Sequence, residues 1–315
     1  MLFLDGVGIG KHDESVNPFF AAQLPTLRSL LGGQLPSLHN RVLGGRHATL
    51  TTLDATLGVD GLPQSGTGQT ALFTGVNAAK VVGRHFGPYP YSTLRPIIGE
   101  KNIFRRLKEA GKNPCFANAF PQRFFDYMNH RKTRMTVTTL SCTMAGIPLL
   151  RADDLRAGRG VSADITNHGW VQLGYPDLLP VEPSEAGRRL AELSGEFDFV
   201  LFEYWKTDHA GHSRSMREAV ETLERFDALL AGVLEAMESR ETILFMTSDH
   251  GNIEDLSTKG HTRHPVPALI YGRGHERIAS RLHRATGARG SLMDVTPTLL
   301  ELITRDHPHR EAMVS

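Results

Sequence analysis

Four separated segments carry oxygen and imidazole donors of the kind that hold a divalent cation: Asp5, Asp208 with His212 and the intervening His209, the adjacent Asp249-His250, and His261 with His264. No thiolate stands among them, so the donor set suits Zn²⁺ or Mn²⁺ better than it suits a structural cysteine site. Each pair alone is a weak signal. Residues four apart share a face on any helix, and neighbours on a strand point to opposite faces. Asp249 and His250 can meet one ion only where a strand ends and the backbone turns, which Gly251 allows. The joint occurrence of the four segments is what points to a metal centre.

A nucleophile candidate lies in Pro63-Gln-Ser65-Gly-Thr67-Gly-Gln69-Thr70-Ala-Leu-Phe-Thr74-Gly75. Small residues let a backbone approach a phosphate, and the first amides of a helix favour an anion. The segment lacks the Gly-Lys-Ser/Thr ending of a nucleotide P-loop. Its plainer reading is an N-cap, with Ser65 or Thr67 satisfying free amides.

These residues need elements to position them. Leu2-Phe3-Leu4 before Asp5, Phe197–Glu203 before Asp208, and Thr242–Thr247 before Asp249 read as buried strands whose carboxyl ends deliver acids. Two further strands are predicted at 114–118 and 266–271. Helices are predicted over 102–110, 184–193, 215–239 and from Asp294 onward, the third with apolar residues at three- and four-residue steps from Met216 to Met237. Apolar strands alternating with helices predict an α/β fold: a mainly parallel sheet with helices on both faces and ligands at the strands' carboxyl ends. Residues 120–180 break this rhythm and read as a small insert or cap over that edge. The core is then 1–119 with 181–315.

Thirty-five Lys and Arg balance 34 Asp and Glu, so no net field is available to grip nucleic acid or anionic lipid. No apolar run approaches the roughly 18 residues of a membrane span, and no leader pattern opens the chain. Cys115 and Cys142 make no disulfide framework and suit a reducing cytoplasm. Only Leu2, Phe3 and Leu4 separate Met1 from Asp5, which is short for a central strand, so the strand is brief or translation starts upstream.

Taken together, the segments resemble the alkaline phosphatase superfamily, in its branch of cofactor-independent phosphoglycerate mutases and phosphopentomutases. The match runs through Asp5-Gly6-x-Gly8, Asn17-Pro18, Pro25-Thr26-Leu27, Ser65 with Gly68-Gln69 and Gly75, Asp208-x-x-Gly211-His212, Thr247-x-Asp249-His250-Gly251-Asn252, and His261-Thr262-x-x-Pro265-Val266-Pro267. The resemblance implies two divalent ions, Mn²⁺ or Zn²⁺. One is held by Asp208, His212 and His261, and the other by Asp5, Asp249, His250 and the Ser65 hydroxyl. It also implies that Ser65, rather than the competing Thr67, attacks the phosphorus of a small phosphate ester.

Gln69 departs from the mutase pattern, which has His there, and an amide orients phosphate without shuttling a proton. Lys206, Arg84, His85 and Arg123 are candidates for contacting a substrate anion. His209 and His264 have no ligand slot. The 60-odd residues of the insert are few for a mutase lid, so a phosphatase or phosphodiesterase is expected first, a phosphomutase second, and a metal-binding scaffold without turnover third.

Overall fold

The computed structural model describes residues 1–130, 133–282 and 290–305. Seven strands form one sheet: β1 (Leu2–Leu4), β2 (Leu43–Gly44), β3 (Ala48–Leu53), β4 (Pro114–Phe116), β5 (Phe199–Tyr204), β6 (Leu244–Ser248) and β7 (Val266–Tyr271), in the order β2-β3-β7-β6-β1-β5-β4. Side chains alternate between two apolar layers, as the pleat dictates. Leu2, Leu4, Phe202, Tyr204 and Met246 face the helices Pro183–Glu196 and Met216–Ala236, with Leu190, Phe226 and Leu229 among the residues that meet them. Phe3, Leu201 and Phe245 face the opposite way, toward Leu72, Phe104, Leu140 and Leu299. Both faces are covered, so β5 is buried along its whole length.

The strands β6, β1, β5 and β4 are mutually parallel, but β7 runs antiparallel to β6, β3 to β7 and β2 to β3. The mainly parallel sheet expected from sequence therefore holds for one half only. No crossover helix separates β6 from β7. The chain doubles back through residues 249–265, and a Gly251–Thr262 bridge pins the return. That return brings His261 beside His250.

Register explains why acids gather at one edge. Leu4 pairs with Tyr204 on one side and Ser248 on the other, so Asp5, Trp205 and Asp249 leave the sheet together. Asp208 is not at a strand end; it sits in the first turn of the helix Lys206–Ser213 that follows β5.

The stretch 120–180 does not pack as one unit. The helix Val137–Ala145 places Val137, Leu140 and Cys142 in the core, against the helices Ser65–Thr74 and Ile103–Glu109. Its apolar face makes it part of the sheet's cover, although it lies within 120–180. The helix Gln122–Met128 buries no residue, and Ala152, Leu155, Trp170 and Leu178 form a separate small cluster. Among the described residues, no helix is long and apolar enough to cross a membrane.

Candidate active site

The ligand candidates form two groups, Asp5, Asp249 and His250 in one and Asp208, His212 and His261 in the other, with the donor atoms of each within 4.8 Å of one another. The first group is deep: the side chains of Asp249 and His250 are fully shielded, and that of Asp5 nearly so. His250 Nε2 stands 3.2 Å from Asp5 Oδ1 and 3.6 Å from Asp249 Oδ2. The second group opens outward, its His212 side chain 46% exposed. His212 Nε2 lies 3.3 Å from Asp208 Oδ2 and 3.3 Å from His261 Nε2. The rings of His250 and His261 stack at 3.8 Å, so the groups share a wall.

Local bonds aim these side chains. His261 Nδ1–H donates to the Pro63 carbonyl at 2.7 Å, which leaves the Nε2 lone pair directed at the site. Burial, together with the charge on His250, pushes His261 down to about 4, so this ring is neutral and ready to ligate. Asn252 Nδ2 donates to Asp208 Oδ1 at 2.7 Å, and Gln69 Nε2 to Asp5 Oδ2 at 3.2 Å.

Ser65 opens the helix Ser65–Thr74, and its hydroxyl lies 3.0 Å from His250 Nε2. Gln64, at the N-cap, makes no side-chain cap bond; of the first-turn amides Thr67 N donates to the Phe86 carbonyl at 2.9 Å, and the positive end of the helix faces the site. Thr67 is differently engaged: its Oγ1 donates to Gln64 O and accepts from Phe86 N, each at 3.2 Å. Gly68 lets the helix come close, since a Cβ there would sit 2.7 Å from the Asp249 carbonyl.

The remaining candidates are scattered. His85 is buried with Nε2 donating to Val59 O, so it is turned into the fold and is no open anion contact. Arg84 lies over the Phe86 ring, Lys206 Nζ lies 4.7 Å over Trp205, and Arg123 is exposed on the helix Gln122–Met128. His209 meets Glu218, and His264 meets Glu254.

Residues 183–307, which include Asp208, His212, Asp249, His250 and His261, match the Metalloenzyme superfamily. The chain is also 36% identical over 141 residues to the 2,3-bisphosphoglycerate-independent phosphoglycerate mutase of Chloroflexus aggregans, a match covering 42% of this chain and 25% of that one. Over those residues the chain is thus similar to metalloenzymes, and the curated relatives it matches there are named as phosphoglycerate mutases. It spans only about a quarter of the length of such curated relatives. Two solved structures share its fold. One is a cold-active alkaline phosphatase from a psychrophilic Shewanella sp., with TM-score 0.56 and 13% identity over 96% of this chain and 99% of that one. The other is a Pyrococcus horikoshii protein, with TM-score 0.56 and 12% identity over 97% of both chains.

The match to metalloenzymes implies divalent ions, and the donor set fits them. Asp5 Oδ1 and Asp249 Oδ2 are buried acceptors without a hydrogen-bond partner, beside a third carboxylate at Asp208. Burial, with the repulsion of Asp208, raises Asp5; burial, with the charge of Asp5, raises Asp249 well above the carboxylate range. Burial works against a charge on His250, yet Asp249 and Asp5 outweigh it and push the ring up to about 10. Cations would replace these protons.

A pH dependence follows. The metal-free fold keeps protons that the unfolded chain releases, on His250 between 6.5 and about 10 and on Glu203 between 4.5 and about 8. Stability without metal therefore falls as pH rises from 6.5 to 8. Calorimetric melting in chelator at several pH values is expected to show this fall, and added Mn²⁺ or Zn²⁺ should remove it.

Sequence reasoning missed three residues around this centre. Glu203 is raised to about 8 by burial and the charge of Asp5, and it is the one charged residue in the apolar run Phe199–Tyr204. Asn252, quoted in the Asp-His-Gly-Asn motif without a role, orients Asp208. Glu254, two residues further on, is buried beside the same loops.

Proposed function

We propose that the chain is a two-ion phosphoryl-transfer enzyme with Ser65 as its nucleophile. Asp208, His212 and His261 take one ion, while Asp5, Asp249, His250 and the Ser65 hydroxyl take the other, with Mn²⁺ or Zn²⁺ as the metals. The observation that supports this reading most is the place of Ser65, on the first turn of a helix whose N-cap side chain makes no cap bond, 3.0 Å from His250 and next to buried carboxylate oxygens that accept no hydrogen bond. The ions supply charge that makes a serine hydroxyl more acidic and stabilises phosphoryl oxygens. Ser65 Oγ bonds to phosphorus as the ester P–O bond breaks, giving a phosphoserine, and the departing oxygen takes up a proton. A second hydroxyl then accepts the phosphoryl group and restores Ser65. The amides of the first helical turn favour the anion, Gln69 holds Asp5, and the Pro63 carbonyl holds the tautomer of His261.

Among the transfers open to such a site we favour a phosphomutase on a small phosphate monoester, because the curated relatives over 30% identical are named as mutases. This reverses the order expected from the small insert. Hydrolysis is the second reading, supported by Gln69 in place of the mutase His and by the exposure of His212. One metal-loaded sample separates the two. A mutase interconverts 2- and 3-phosphoglycerate, or ribose 1- and 5-phosphate, with little free phosphate, whereas a hydrolase releases phosphate from p-nitrophenyl phosphate or its bis-ester without interconversion. No turnover of any of these under several metals sinks both.

A further inference from the structure

One buried acid beside the metal centre belongs to neither ligand group. The Glu254 side chain is fully shielded from solvent, and each of its oxygens is used twice. Oε2 accepts from Gly8 N at 2.9 Å and Asn252 N at 2.8 Å; Oε1 accepts from the Thr262 hydroxyl and lies 3.0 Å from His264 Nδ1. These donors sit on the three segments that follow Asp5, His250 and His261. The backbone leaves room for this carboxylate, since a Cβ on either Gly8 or Gly251 would stand 2.3 Å from Glu254 Oε1. A carboxylate suits four converging donors because it only accepts. Burial disfavours its charge, but the bonds from His264 and Thr262 prevail and hold it below the usual range.

We infer that Glu254 is the positioning residue of the metal centre: by accepting from all three ligand-bearing segments it fixes Asp5, His250 and His261 relative to one another, so both ion sites depend on it. The inference rests on the two-ion reading above. It also accounts for the glycines of Asp5-Gly-x-Gly8 and Asp249-His-Gly251 as space for one side chain.

The test is Mn²⁺ titration of metal-stripped protein by calorimetry, with circular dichroism and metal-free melting as checks of folding. Wild-type protein is expected to take up two ions. Glu254→Gln keeps the size but turns one acceptor into a donor facing donors, and should weaken both dissociation constants together by about 10- to 100-fold. Thr262→Val loosens only the His261 segment, which keeps just its His264 bond to Glu254, and should weaken one site by about 10-fold while sparing the other. A folded Glu254→Gln protein that binds two ions with wild-type constants overturns the inference. If Glu254→Gln does not fold, Thr262→Val decides, and unchanged binding at both sites overturns it. Wild-type protein that takes up no ion overturns the two-ion reading itself, and this inference with it.

Discussion

Metal-loaded Ser65→Ala protein is expected to lose about 10³-fold or more in kcat toward any phosphate ester the wild type turns over. The loss comes from chemistry rather than folding. Ser65 is a small residue on the first helical turn, its hydroxyl meets His250 rather than a backbone group, and Asp5, Asp249 and His250 survive the change to hold metal. Metal content by mass spectrometry should therefore fall little. Thr67→Ala is the control: that hydroxyl bonds Gln64 and Phe86, so its loss should cost stability at the loop and less than about tenfold in kcat, the size of one misplaced contact. A protein that bound metal only as a scaffold would show no activity for Ser65→Ala to remove.

Asp249→Asn is expected to move two measurable quantities in opposite directions. Without metal, Asp249 is a fully buried acid beside Asp5, and only its Oδ1 has a donor, Gly6 N at 3.3 Å. An asparagine keeps that acceptor and removes an acid that folding must protonate at pH 8, so the metal-free variant should melt higher than wild type there. With metal the same change deletes a ligand from the deep group, and uptake at that site should weaken by about 10²-fold or more, with kcat falling alongside. Melting in chelator and ion titration on one preparation read both signs. A variant that melted lower without metal and bound ions normally would mean that Asp249 is an ordinary structural acid.

Much of this candidate site was legible because the acids and histidines that it brings together follow simple local rules. Asp208 and His212 are one helical turn apart, and Asp249-His250-Gly251 stands where β6 ends. The strand and helix patterns also located β1, β5, β6 and β7 and the long helix Met216–Ala236 within a few residues. Other features depend on contacts that no local pattern records. β3, Ala48–Leu53, was overlooked because its threonines blur the apolar signal, and it is a strand through its antiparallel pairing with β7. The helix Val137–Ala145 read as part of an insert because its threonines and Ser141 hide an apolar face that only the neighbouring helices reveal. Glu203 and Glu254 matter through burial and through partners far along the chain, Asp5 and Gly8, which sequence spacing does not express.

The central claim, that Ser65 carries the phosphoryl group, is tested most directly by acid-quenching metal-loaded protein during turnover of p-nitrophenyl phosphate and mapping the phosphorylated peptide by mass spectrometry. The account predicts one phosphoryl group, on Ser65 and absent from Ser65→Ala protein. Phosphate on Thr67 or another residue, or turnover at full rate by Ser65→Ala protein, would contradict it.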